Sequence, residues 1–222
     1  MARAIIIANG EPPSRADVQR WLREGDVLIC ADGGTRAALA LNLSPHHVVG
    51  DFDSLPEDVV RALQAQGTQL HRHPTRKNET DLELALLLAT QLTPRPEAIV
   101  VLGALGGRLD HALANMLLLA MPALRGWSVV LAHGPERAML IDAREAPTTL
   151  TLRGAPGDLV SLLPLGGDVH GITTEGLEYP LRDEPLFFGP ARGVSNVLLS
   201  ETARVHVRHG MLLCVMREQQ AA

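Results

Sequence analysis

The run Asp26-Val27-Leu28-Ile29-Cys30-Ala31 is followed at once by Asp32-Gly33-Gly34 and then by Thr35-Arg36-Ala37-Ala38-Leu39-Ala40-Leu41. The first piece is apolar and β-rich with no alternation, which suits a strand buried on both faces. The last piece has helical texture, and the glycines between them allow the chain to turn sharply. A carboxylate, Asp32, therefore sits at the point where a buried strand becomes a helix.

Working outward, the same pattern recurs along the first two thirds of the chain. Strands are predicted over 4–8, 26–31, 47–50, 98–102, 128–132 and 138–141, with helices over 14–23, 34–41, 57–66, 80–92 and 110–120. This βαβ alternation predicts a doubly wound, mostly parallel α/β sheet. Beyond Ala146 the texture changes. Strand-like runs at 148–153, 158–164, 193–200, 204–208 and 212–216 are separated by Gly/Pro-rich turns with no convincing helix, so a smaller all-β, sandwich-like domain is expected. The junction falls near Ala143–Pro147, giving an α/β domain over 1–145 and an all-β domain over 146–222.

A formal charge of -5 gives no general attraction to nucleic acid or anionic lipid, so a small-molecule partner is expected and neither nucleic acid nor membrane. The two cysteines, Cys30 and Cys214, lie on separate apolar runs and suggest core packing in a reducing compartment. The opening apolar run is too short for a signal core or a membrane span, and a cytoplasmic location is expected.

Four acidic stations stand out: Ala31-Asp32-Gly33-Gly34, Gly50-Asp51-Phe52-Asp53-Ser54, Lys77-Asn78-Glu79-Thr80-Asp81 and Gly106-Gly107-Arg108-Leu109-Asp110-His111. Ligands of doubly wound sheets bind beyond the carboxyl ends of the strands, where these stations and Asn9-Gly10 fall. Asp51 and Asp53, at i and i+2 of an extended segment, would project to one side and reach one cation. Hard oxygen donors in small number suit magnesium, with phosphate supplying other ligands. An Asx-type turn at a strand end accounts for the same pair without chemistry.

Thr80 with Glu83 fits a helix cap, and Asp81 in the first turn complements the helix dipole, again without chemistry. Lys77 just upstream, with Arg72, His73 and Arg76, forms a basic approach fit for a polyphosphate. The Gly103-Ala104-Leu105-Gly106-Gly107 loop allows backbone amides to approach a phosphate, yet it lacks both the Gly-Lys-Ser/Thr of common phosphate loops and the dinucleotide spacing. Arg108 offers a charged fork, Asp110 a cap or an orienting carboxylate, and His111 either a structural or a catalytic imidazole.

Taken in order, these stations resemble the thiamin pyrophosphokinase family, and Gly193-Val194-Ser195-Asn196 is similar to that family's thiamin-site signature. The resemblance spans nearly the whole chain. It implies transfer of pyrophosphate from ATP to the hydroxyethyl oxygen of thiamin, giving thiamin diphosphate and AMP. It further implies a homodimer with thiamin near the subunit interface, and a β domain that binds thiamin and dimerises. By the same resemblance Asp51, Asp53 and Asp81 would ligate Mg2+, and Asp110 would join that acidic cluster as a catalytic residue. Asn9, Asp32, Gly33, Gly34, Lys77, Thr80, Arg108 and His111 would line the nucleotide site, and Ser195 and Asn196 would position thiamin. One departure is Asn78, where family members often carry an acidic residue. Two other readings compete: pyrophosphoryl transfer to another hydroxymethyl heterocycle such as a pterin, and a non-catalytic nucleotide sensor.

Overall fold

A computed structural model describes residues 2–219. Strand and helix alternate as β1 (Ala4–Ile7), α1 (Arg15–Trp21), β2 (Val27–Ala31), α2 (Gly34–Ala40), β3 (His47–Gly50), α3 (Glu57–Ala65), β4 (Gln69–Arg72), α4 (Asp81–Gln91), β5 (Ile99–Leu102), α5 (Leu109–Leu118) and β6 (Val129–His133). An all-β series follows: β7 (Glu136–Asp142), β8 (Thr148–Arg153), β9 (Leu159–Pro164), β10 (Val169–Glu175), β11 (Arg182–Leu186), β12 (Asn196–Val197), β13 (Thr202–Val207) and β14 (Met211–Arg217). Contacts divide the chain into two units, 1–134 and 135–222.

In the first unit the strands run β6-β5-β1-β2-β3-β4, and every neighbouring pair is parallel. The chain moves outward from β1 through β2, β3 and β4, then returns to place β5 on the other side of β1. That reversal creates a crevice beyond the carboxyl ends of β1 and β5. The central strands β1 and β5 are buried along their full length, as the unbroken apolar runs predict. One face packs Ile5, Ile7, Leu28, Cys30, Val48 and Val100 with Leu63 of α3. At the opposite, amino-terminal end, the buried Arg3 and Asp26 side chains form an ion pair of 2.6 Å. Asp26 also accepts from the Arg23 amide at 2.9 Å, and Arg3 donates to the Trp21 carbonyl. Burial alone would raise the Asp26 carboxyl, yet the Arg3 guanidinium and the two backbone amides hold it below the ordinary value.

In the second unit β12-β9-β14-β7 pair antiparallel, as do β11-β10-β13-β8. Their inward residues, among them Leu152, Val160, Leu162, Ile172, Val205, Leu212 and Met216, form one core. This is the sandwich-like arrangement expected of alternating strands. The structure departs from the sequence expectation at β7. That run was assigned to the α/β portion, but it pairs antiparallel with β14 from Asp142↔Met211 to Glu136↔Arg217, so the division falls earlier than Ala143–Pro147. A buried apolar run carries no direction, and only its partner decides parallel or antiparallel pairing. The strands β4, β10 and β11 were also not expected.

Candidate active site

Two of the acidic stations converge, bringing three aspartates together. One carboxylate oxygen from each of Asp32, Asp51 and Asp53 lies within 4.8 Å of the other two. Asp32 follows β2 and Asp51 follows β3, strands paired through Ala31↔Val49. The Asp32 amide donates to the Val49 carbonyl at 2.8 Å, which fixes the height of one carboxylate against the other. Asp32 adopts a left-handed φ of 43°, and its Oδ1 accepts from Ser54 Oγ at 2.9 Å. Asn9 Nδ2 approaches Oδ2 at 3.4 Å.

Asp51 and Asp53 meet by a route other than the extended segment the sequence suggested. Phe52 lies between them at φ 65° and is buried, and the Asp53 amide donates to Asp51 Oδ1 at 3.1 Å. This is an Asx-type turn, so the turn and the convergence of carboxylates are one feature. Arg72 stacks its guanidinium 4.8 Å over the Phe52 ring and donates to the Asp51 carbonyl at 3.1 Å.

The electrostatics split the pair. The Asp53 amide, the Thr75 hydroxyl and the Lys77 ammonium hold Asp51 below the ordinary carboxylate value. Its hydrogen bond to Asp51, then the charges of Asp51, Asp32 and Asp81, push Asp53 up. Repulsion among clustered carboxylates of this kind is what a bound cation relieves. Asp81 begins α4, whose N-cap Thr80 accepts from the Glu83 amide at 3.1 Å. Its Oδ1 pairs with Lys77 Nζ at 2.8 Å, yet that buried oxygen has no well-aligned hydrogen bond. A carboxylate oxygen held only by an ammonium group, together with three converging ones, fits a hard cation and its oxygen-bearing ligand.

A cleft of about 740 Å³ opens next to this cluster, lined by Asn9, Glu11, Thr80, Asp81, Gly106, Gly107, Arg108, His111 and Asn115 among others. It lies at the reversal beside β1 and β5. Gly106 and Gly107 both take positive φ, 81° and 65°. Asn115 Nδ2 ties α5 to the loop through the Ala104 carbonyl at 2.6 Å. Gly34 is required by close approach, since a Cβ there would collide with the Ile7 carbonyl, whereas one at Gly33 would meet only the movable end of the Asn9 side chain.

Asp110 stands apart from the three converging aspartates. It is exposed and bound to Arg108, with Arg108 Nη2 to Asp110 Oδ2 at 2.6 Å, and that guanidinium holds its carboxyl below the ordinary value. His111 is exposed on the cleft wall. In the second unit Ser195 takes φ 61°, and its amide donates to Ser161 Oγ at 3.1 Å. Asn196 is buried. Its Oδ1 accepts from the Tyr179 and Val197 amides, and its Nδ2 donates to the Tyr179 carbonyl at 2.8 Å. The Asn196 amide thus shapes the Tyr179 turn. A small cavity of about 120 Å³ lies there, bordered by Tyr179, Arg192, Val194 and Asn196.

The sequence reading missed Glu11, Ser54, Thr75 and Asn115. The Asn9-Gly10 station could have flagged Glu11, its next neighbour. Ser54 closes the second acidic station, but its partner Asp32 follows a different strand, and nothing local marks Thr75.

Comparison with known proteins places the chain by family and fold. The family described as "Thiamin pyrophosphokinase, catalytic domain" matches residues 18–131, and "Thiamin pyrophosphokinase, vitamin B1 binding domain" matches residues 145–212. The chain is similar to the thiamine pyrophosphokinase of Bacillus subtilis, at 28% identity over 95% of this chain and 96% of that protein. Among solved structures it is similar to thiamin pyrophosphokinase from Geobacillus thermodenitrificans, with TM-score 0.80 and 27% identity over 100% of this chain and 99% of that one. It is also similar to a thiamin pyrophosphokinase family protein from Enterococcus faecalis, with TM-score 0.81 and 26% identity over 98% of this chain and 100% of that one. The chain belongs to the thiamin pyrophosphokinase family, carrying that family's catalytic and vitamin B1 binding domains in order.

Proposed function

We propose that the crevice between the aspartate cluster and the glycine loop is where this enzyme moves pyrophosphate from ATP to the hydroxyethyl oxygen of thiamin, releasing AMP. Pyrophosphorylation of thiamin is the activity of the family to which the chain belongs. The observation that carries the assignment is the convergence of Asp32, Asp51 and Asp53, with Asp81 close enough to raise Asp53, beside a glycine loop at the sheet's reversal.

Asp51, Asp53 and Asp81, with Asp32 adjoining, hold Mg2+ in this reading. When bound there, the ion would supply charge neutralisation for the polyphosphate. The chain's own groups do the rest. Gly106 and Gly107 offer backbone amides to phosphate oxygens, and Arg108 adds a fork of donors once its guanidinium swings from Asp110. Lys77 screens polyphosphate charge while keeping Asp81 in place. A primary alcohol needs alignment and late removal of its proton, so the cleft's first task is to hold that oxygen in line with the β-phosphorus. Asp81 and Asp110 are the carboxylates available to accept the proton. Asn9, Asp32, Gly33, Gly34, Thr80 and His111 border the nucleotide. Ser195 and Asn196 position thiamin, Asn196 through the Tyr179 turn, in a homodimer with thiamin near the subunit interface. A cytoplasmic location is in keeping with the two free, buried cysteines.

The test is to incubate the purified protein with MgATP and thiamin and to separate the products. AMP with thiamin diphosphate supports the reading. ADP with thiamin monophosphate moves attack to the γ-phosphorus and overturns it, and absence of product rejects catalysis at this crevice.

A further inference from the structure

The chain carries nine histidines, and two that play no part in the reaction meet in the first unit. His47 opens β3, and His71 lies in β4, the edge strand of the parallel series. The register sets His47 opposite Gln69 and Val49 opposite His71, so the rings approach along a diagonal. Val48 and Leu70 pack into the core of one face, and alternation places both imidazoles on the other. His47 Nδ1 stands 3.1 Å from His71 Nε2, with ring centroids 5.3 Å apart and planes tilted by 39°. Both rings are half-buried, which leaves them accessible.

Two neutral imidazoles at this separation share one N–H···N hydrogen bond. The same separation is what two adjacent ligands of one metal ion require. Bonds of about 2.0–2.1 Å enclosing roughly 90–110° span about 2.8–3.4 Å between nitrogens. Metal binding replaces that hydrogen bond: the ring that donates it moves its proton to the outer nitrogen, and both inner nitrogens then present lone pairs. Burial, then the facing His71, holds His47 below the usual imidazole range, and burial, then His73, does the same for His71.

The geometry points to a two-histidine chelate for a first-row divalent transition metal, with His47 Nδ1 and His71 Nε2 as the protein ligands and water filling the other positions. This site differs in kind from the aspartate cluster, because imidazole nitrogen selects nickel, copper or zinc while carboxylate oxygen suits magnesium. A bound ion ties edge strand β4 to β3. β4 leads directly into the segment whose Arg72, Thr75 and Lys77 reach Asp51 and Asp81, so occupancy also stiffens the approach to the crevice.

The test titrates the full-length protein with NiCl2 by calorimetry in excess MgCl2, which keeps the carboxylates occupied by the harder ion. One Ni2+ per chain is expected, bound at least tenfold more weakly by His47→Gln and by His71→Gln and equally well by His170→Gln. Equal affinity in wild type and both strand variants overturns the site. Circular dichroism verifies that the variants fold, and electron paramagnetic resonance of wild type with CuCl2 makes the decision independent of them. Hyperfine structure from two imidazole nitrogens supports the chelate, and a spectrum with oxygen donors alone, or with one nitrogen, refutes it.

Discussion

The amide of Asp53 donates to Oδ1 of Asp51 at 3.1 Å across a left-handed Phe52. Backbone geometry thus brings two like charges together; the amide bond lowers Asp51 while the side-chain contact with Asp51 raises Asp53, so Asp51 is the stronger acid. Replacing either carboxylate by its amide keeps the shape and removes the charge. Asp51→Asn and Asp53→Asn are expected to lose turnover by about 10²–10³-fold while melting as cooperatively as wild type. Steady-state assays with varied MgCl2 and parallel thermal melts check this, and normal turnover in both variants removes the metal assignment.

The raised Asp53 carboxyl has a pH consequence whose sign is fixed. Its folded pKa lies above the reference 3.8, so its contribution to stability is present below that value and is lost as pH rises through the folded one. In metal-free protein at neutral pH, Asp53→Asn is therefore expected to melt above wild type, with the difference closing on acidification. Saturating MgCl2 reverses the order, since the cation needs the charge. Melts at stepped pH with EDTA or MgCl2 measure both.

At the other end of the sheet, Arg3 and Asp26 are buried against each other. Arg3→Ala leaves a buried carboxylate with its two amides only, and a loss of about 3–5 kcal/mol is expected. Asp26 is held below its ordinary value, so the wild-type contribution is present above that value and lost as pH falls through the folded one. Urea unfolding of wild type and variant across pH 3 to 7 is the measurement.

The two adjacent glycines after Asp32 should respond differently. Gly34→Ala drives a methyl into the Ile7 carbonyl, a backbone atom that cannot step aside, and a cost of about 1–3 kcal/mol is expected. Gly33→Ala meets only the exposed Asn9 side chain. That variant should fold normally and show its defect as a raised KM for ATP. Chemical denaturation and substrate titration separate the two outcomes.

The β1, β2, β3 and β5 runs were legible because a strand buried on both faces must be apolar throughout. Gln69-Leu70-His71-Arg72 was not, since an edge strand needs only one apolar side chain, here Leu70, on its core face. In the second unit Gly171 interrupts β10 and Pro185 sits in β11, an edge strand of its sheet, so neither reads as a strand. The acidic stations were visible as residues. That Asp32 joins Asp51 and Asp53 follows from strand order and from the left-handed Asp32 and Phe52, which local pattern does not encode. Asp110 instead pairs with its near neighbour Arg108.

The separation of Asp32 from Asp51 is inherited from the ladder between their strands, whose spacing of about 4.8 Å is a property of the peptide group. Side-chain packing has little part in it. Helices on either face can therefore exchange most of their residues, or change length, without moving the charges relative to each other. The carboxylates are spaced by the part of the polymer that side-chain substitution does not alter.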